Sequence, residues 1–380
     1  MKRQFSRAFL VAALVTTILI STLTGCKNEA TTIKIGGIAP ATGPTAAFGI
    51  PSKNGYEMAI EEVNENGGIL GKKVELVFAD DKGDPTEGAT AAQKLINQDK
   101  VVAIVGTVMS SVTLAFAPIC QSAGIPMITH IGTNEKITQV GDYIFRACFI
   151  DSFQGTVGAN FAYNYLNART AGVIYDVAND YTKGLSENFR DQFQALGGTI
   201  VAFEGHASGT TDFTPQLTVI LSGKPDLIYC PDYYNDFGLI AKQARGLGYT
   251  GPFLGGDGWD SPDLFTIGGD AVNNSYFTNH FSKDDPRPEV QSFVKKYTEK
   301  YGQLPEAVAT LAYDSMGLML EAIKEAQSTD GAKIRDAMQS IVYNGVTGTI
   351  KFDEDRNPIK SAVILKIEDG KQVYVTTVNP

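Results

Sequence analysis

From Thr32 onward, short apolar runs alternate with stretches whose apolar residues recur at helical spacing. This alternation constrains the fold more than any other feature of the chain. Residues 32–38 read as a strand. Tyr56, Ala59, Ile60 and Val63 mark one face of a helix that Asn66-Gly67-Gly68 stops, and residues 74–79 read as a strand. A helix over 86–97, a strand over 101–105, a helix over 111–122 and strands over 126–129 and 143–149 follow. The rhythm then restarts with helix 154–167, strand 171–175, helix 181–196, strand 199–203, helix 213–221, strand 226–230, helix 235–247 and strand 252–254.

Repeated strand–helix units with short Gly-rich joints imply parallel sheets covered by helices on both faces. Two such runs imply an α/β protein of two doubly wound lobes. After a strand at 275–279 come three helical segments, 289–301, 307–326 and 334–341, placed where the chain would return to the first lobe. Residues 348–353 and 361–378 are strand-rich, with a hairpin at Asp369-Gly370. No long Pro/Ser linker separates the halves, so short hinges are expected between them.

The first residues follow different rules. Lys2, Arg3 and Arg7 precede an apolar run over 8–20, which has the length of a signal-peptide core and is short for a membrane span. Leu23-Thr24-Gly25-Cys26 then reads as a bacterial lipobox, so residues 1–25 are expected to be cleaved and Cys26 lipidated, with 26–31 as a tether. No later stretch approaches about eighteen uninterrupted apolar residues. The expectation is an exported protein, lipid-anchored to the cell membrane and facing the extracytoplasmic side. Acidic residues outnumber basic ones 42 to 32, for a net charge of −10, which disfavours nucleic acid as a partner.

Enzyme chemistry finds little support. The sequence contains no HExxH, GxSxG or GxxxxGK[ST]. A GxGxxG at 246–251 follows a helix and precedes a strand, the reverse of a dinucleotide fingerprint, and reads as a helix C-cap and turn. Residues 353–357 resemble a calcium loop, but Pro358 stands where Gly is required. His130, His206 and His280 are too scattered for a metal site. Cys120, Cys148 and Cys230 show no CxxC spacing; Cys120 and Cys148 read as buried thiols, with one disulfide left open. No catalytic residue, metal or cofactor is expected.

In open α/β sheets, ligands bind beyond the carboxyl ends of the strands, and four loops there carry suggestive chemistry. Residues 106–113 (GTVMSSVT) leave a buried strand and open a helix, so helix-start N–H groups and the Ser110 hydroxyl suit a carboxylate, while Ser110 or Ser111 would equally serve as an N-cap. Residues 129–134 (THIGTN) offer backbone carbonyls to an ammonium and the Thr133 hydroxyl to a carboxylate. Asp257, in GGDGWD, suits an ammonium, with Trp259 as a pocket wall; the bland reading is an Asx turn with Trp259 in the core. Phe48, Tyr181, Tyr233 and Tyr234 fall in loops or at helix starts and suit an apolar wall. A carboxylate site, an ammonium site and an apolar wall are what a free α-amino acid requires.

These segments carry a resemblance. IKIGGIAPATGPTAAFG, GYEMAIEEVNENGGILGKKVEL, DDKGDP, VGTVMSSVTLAFAP, GIPMIT, YIFRACFIDSFQG and the GGDG loop, in this order, resemble the leucine/isoleucine/valine-binding proteins. These are the substrate-binding components of branched-chain amino-acid ABC transporters, with the type I periplasmic-binding-protein fold. The resemblance covers about residues 32–370. It implies three hinge crossings, near Asp151, His280 and Asp353, with one lobe from 32–150 and 281–353 and the other from 151–280 and 354–380. It implies that Ser110 binds the ligand carboxylate, the Ile131 carbonyl accepts from the ammonium, Thr133 contacts both, and Tyr181 and Tyr233 close from the second lobe. Phe48 would line the side-chain pocket, Asp257 would be the ammonium counter-charge, and Trp259 and Asp151 complete the expected set. An ABC permease is the implied partner, and a monomer the implied state.

There are departures from the family. A disulfide of some members maps to Gly83 and Met109 and is absent; Asp257 replaces a common Glu; a pocket aromatic maps to Val308. The alternative is the same fold holding a short amide, urea, a GABA-like or an aromatic acid, or serving as a sensor.

Overall fold

A computed structural model describes residues 32–380; the leader, Cys26 and the tether lie outside the described residues. The first lobe alternates β1 (Thr32–Ala39), α1 (Gly49–Glu65), β2 (Lys73–Asp80), α2 (Pro85–Lys94), β3 (Ala103–Val105), α3 (Ser110–Ala123), β4 (Met127–Thr129), α4 (Lys136–Gln139) and β5 (Ile144–Arg146). Its five strands lie in the order β2-β1-β3-β4-β5, all parallel. Every residue of β3, β4 and β5 is buried, as expected of strands with helices on both faces.

The second lobe repeats the plan: α5 (Asp151–Asn160), β6 (Thr170–Asp176), α6 (Asp180–Ala195), β7 (Thr199–His206), α7 (Thr214–Ser222), β8 (Leu227–Tyr229), α8 (Tyr234–Gly246), β9 (Phe253–Gly255), α9 (Asp263–Gly268) and β10 (Ser275–Asn279). The chain continues through α10 (Pro288–Tyr301), α11 (Ala307–Ala326), α12 (Gly331–Ser340) and a small antiparallel pair, β11 (Val342–Gly345) and β12 (Gly348–Lys351). It ends in β13 (Ala362–Glu368) and β14 (Lys371–Val378). In the second sheet β7-β6-β8-β9-β10 are parallel, and the terminal hairpin joins β10 antiparallel as β13 then β14. In each sheet the strand order reverses beside the first strand of the run, which opens a crevice beyond the strand ends.

The helices after β10 return to the first lobe. Tyr56, Ala59 and Ile60 of α1 share a core with Ala312, Met316 and Met319 of α11 and with Ile334 and Met338 of α12. Gly55 permits the approach: a Cβ there would sit 2.4 Å from the Ala309 carbonyl oxygen. The chain therefore passes between lobes three times, from β5 to α5, from β10 to α10 and from β12 to β13.

Two short helices, α4 and α9, have no counterpart in the periodicity, because one turn and a half is too brief for a 3.6-residue repeat to show. The expected strand over 143–149 is trimmed to β5, since the residues after Arg146 leave the sheet for the first crossing. The GxGxxG segment closes α8 and turns through Gly248, at φ 92°, into β9. Cys120, Cys148 and Cys230 are free, buried thiols. Among the described residues no helix is long and apolar enough to cross a membrane, and no group of three or more His, Cys, Asp and Glu is placed to hold a metal ion.

Candidate functional site

A narrow cleft runs between the lobes, at the carboxyl ends of both sheets. Phe48, Val108, Ser110, Ile131, Thr133 and Val308 line it from the first lobe, and Tyr181, Tyr233, Asp257, Gly258 and Asp260 from the second. Its rim is closed by bonds between lobes. Asn134 Nδ2 donates to the Asp180 carbonyl at 2.9 Å, and the Asp180 N–H donates to Ser111 Oγ at 2.9 Å. Tyr234 donates its hydroxyl to the Pro44 carbonyl at 3.2 Å.

The first-lobe wall is built on two loop–helix joints. Gly106 ends the strand run at φ 143°, where a Cβ would lie 2.3 Å from the Ile38 carbonyl oxygen. The chain then reaches Ser110, the first residue of α3. Met109 occupies the N-cap position without a side-chain cap, so Ser110 is not the cap that its sequence setting allowed. Its Oγ accepts from the Asn134 N–H at 3.2 Å, tying the joint to the 131–134 loop. That loop is gripped from behind by Arg146, wholly buried in β5. Its guanidinium donates to the carbonyls of Gly132 at 2.8 Å and Asn134 at 2.7 Å and to Asn357 Oδ1 at 2.7 Å. The Cys148 thiol also donates to the Gly132 carbonyl.

The second-lobe wall is made of side chains. Asp257 opens a single 3₁₀ turn after β9 and is 5% exposed. Its Oδ1 accepts from Tyr181 and from Gln154 Nε2, each at 2.9 Å, and its Oδ2 accepts from His280 Nε2 at 3.0 Å. The flanking glycines make room for the aromatics: a Cβ on Gly256 would fall 2.3 Å from the Tyr181 hydroxyl, and one on Gly258 would fall 2.9 Å from the Tyr233 ring. Tyr181 and Tyr233 stack at 5.3 Å, and Phe48 meets Tyr233 edge-on across the cleft. Burial pushes both phenols well above their ordinary range, so they stay neutral donors. Asp260 accepts from Asn279, Gln372 and the Ala307 N–H at the start of α11.

Seven of the nine expected ligand contacts line the cleft: Phe48, Ser110, Ile131, Thr133, Tyr181, Tyr233 and Asp257. Trp259 does not. It is wholly buried and stacked 3.4 Å from Phe237, because the 3₁₀ turn swings it two residues past Asp257 into the core. Asp151 does not line the cleft either. It starts α5, donates its backbone N–H to the Thr133 carbonyl at 3.1 Å, and is wholly buried with both carboxylate oxygens unpartnered. Burial raises its pKa well above the usual carboxylate range. Tyr234 sits at the rim, edge-on to Phe48.

Sequence reasoning passed over Val108, Asp260, Gln154, His280 and Arg146. Only Arg146 left a usable signal, an arginine inside an otherwise apolar strand. Gln154 and His280 act at the site through partners more than 20 residues distant, a pairing that no spacing rule reports.

The chain belongs to the periplasmic binding protein family, whose model matches residues 32–372. A curated relative is the Leu/Ile/Val-binding protein BraC3 of Rhizobium johnstonii, 32% identical, with 88% of this chain and 93% of the relative covered. Among solved structures, a leucine-binding protein LivK from Thermotoga maritima is 41% identical with a TM-score of 0.88, covering 92% of this chain and 99% of that one. The branched-chain amino acid transporter substrate-binding protein LivJ of Streptococcus pneumoniae, solved with isoleucine, is 36% identical with a TM-score of 0.87, covering 92% and 100%. These relatives are named as binding proteins, not enzymes.

Proposed function

We propose that this chain is the substrate-binding component of an ABC importer and captures a free branched-chain amino acid: leucine, isoleucine or valine. The observation that carries this is the polarity of the cleft. On one side stand the Ser110 hydroxyl and the opening N–H groups of α3, a setting for a carboxylate. Opposite stands the buried Asp257, while Ile131 and Thr133 line the same cleft from the first lobe, a setting for an ammonium. Between them Phe48, Val108, Val308 and the Tyr181–Tyr233 stack offer an apolar seat. The relatives named for Leu/Ile/Val and leucine binding support the same reading.

Capture is by rotation of the lobes about the three crossings, with the rim bonds at Asn134, Asp180 and Ser111 fastening the closed form. A monomer tethered through a lipid on Cys26, on the extracytoplasmic side, would present that closed form to the permease. The test is calorimetric titration of ligand-stripped protein with leucine, isoleucine, valine, alanine, phenylalanine, GABA, acetamide and benzoate. One-to-one binding that favours a branched amino acid is expected. Binding confined to benzoate or acetamide would overturn the ammonium assignment, since neither carries an ammonium and benzoate meets Asp257 as a like charge.

A further inference from the structure

His280 lies outside the cleft lining yet bonds Asp257, which lines it. It follows β10 at the second crossing, and its ring is wholly buried. Nε2 reaches Asp257 Oδ2 at 3.0 Å, while Nδ1 has no hydrogen-bond partner. The imidazole also stacks 3.6 Å from Phe149, on the first crossing. A phenyl ring would fill this space without the cost of an unpartnered buried nitrogen. What an imidazole adds there is its single bond to Asp257.

We propose that His280 is a positioning residue for Asp257 and makes the site select an α-ammonium over a neutral substituent at the same carbon. The inference rests on the reading that Asp257 receives the ligand ammonium. Three donors converge on Asp257, and they come from separate parts of the second lobe: Gln154 on α5, Tyr181 on α6 and His280 after β10. Gln154 Nε2 also donates to Thr278 Oγ1 at 2.8 Å, so two of the three donors are referenced to β10. An ionised carboxylate offers about four acceptor positions. Three are taken, and the one left open is where a cationic donor completes the shell. His280 alone holds Oδ2; without it that oxygen loses its fixed direction, and the carboxylate is free to turn about its Cβ–Cγ bond.

The experiment compares leucine with its 2-hydroxy analogue, which keeps the carboxylate and side chain but replaces the ammonium with a hydroxyl. Both are titrated into wild type, His280→Phe, His280→Asn, His280→Gln and Asp257→Asn. His280→Phe keeps the stack on Phe149 and removes the bond. It should weaken leucine at least tenfold and change the hydroxy analogue less than twofold. The Gln amide nitrogen reaches where Nε2 stood and should restore most of the preference; the shorter Asn places its nitrogen where Nδ1 stood and should not. If His280→Phe does not fold, the Gln–Asn pair carries the same test.

Equal weakening of both ligands would make His280 a packing residue and overturn the inference. An unchanged His280→Phe alongside a collapsed preference in Asp257→Asn would overturn it too, while leaving the ammonium reading intact. An unchanged Asp257→Asn would sink that reading and this inference with it.

Discussion

The two walls of the cleft solve the same problem with different materials. The first lobe presents its polar groups as backbone and the Ser110 and Thr133 hydroxyls, steadied by a buried arginine that seizes the neighbouring carbonyls of Gly132 and Asn134. The second lobe presents side chains, a carboxylate and two phenols, steadied by other side chains. A wall of peptide groups offers the same partners to any α-carboxylate. A wall of side chains can be exchanged residue by residue. Affinity common to all α-carboxylates should therefore reside in the polar groups of the first lobe, and discrimination for the ammonium in the second.

Asp257→Ala should break this contrast most sharply. It should weaken amino-acid binding by about 2–5 kcal/mol, the scale for a charge pair that loses one partner, while strengthening hydroxy-acid binding in the same titration, because the like charge facing that anion is gone. Arg146→Met tests the other wall. It leaves buried carbonyls without their donor, at about 1–3 kcal/mol each, so thermal melts should show a large loss of stability and all ligands should weaken in proportion. Selective loss of the amino acid would contradict the division of labour.

Ser110→Ala should cost roughly 1–3 kcal/mol of binding for one bond to a charged group, read as equal losses for leucine and its hydroxy analogue. If only the melting temperature falls, Ser110 serves the Asn134 N–H and not the ligand. Asn134→Ala removes one rim bond between lobes. It should shift affinity by about 0.5–1.5 kcal/mol, seen in stopped-flow as faster release with unchanged capture.

The smallest effect concerns His206, remote from the cleft. Burial alone would lower its pKa, but the hydrogen bond and charge of Asp232 raise it to about 9. A folded-state value above the unfolded one, about 6.5, gives stability that is full below pH 6.5 and drains away as pH rises to 9. The melting-temperature gap between wild type and His206→Gln should narrow across that window. A constant gap would mean that the pair does not titrate there.

The same contrast explains what the sequence disclosed. The alternation of periods revealed both sheets, and the helices after the second run stood where a return to the first lobe was open, although only the packing of α11 on α1 establishes it. First-lobe cleft residues such as Ser110 and Thr133 were legible as loop residues at strand ends. Asp257 stood out as an acid among glycines. The props behind them did not: His280 lies in no periodic pattern, and its role depends on a residue 23 positions away reached through the fold. Trp259 read as either pocket wall or core, and it takes the core because a 3₁₀ turn, unlike an extended loop, sends neighbours two apart in unrelated directions.

The return of α10–α12 has a consequence in time. During synthesis the first five strands and α1 are complete long before Ala307 exists, so the side of α1 that α11 covers, around Gly55, stays bare while β6 to β10 of the second lobe are made. Contacts of such long sequence separation slow folding and prolong exposure of apolar surface. A chain cut anywhere between the lobes cannot yield two autonomous halves, and the first lobe is finished only after the parallel strands of the second are made, the second only when its terminal hairpin follows.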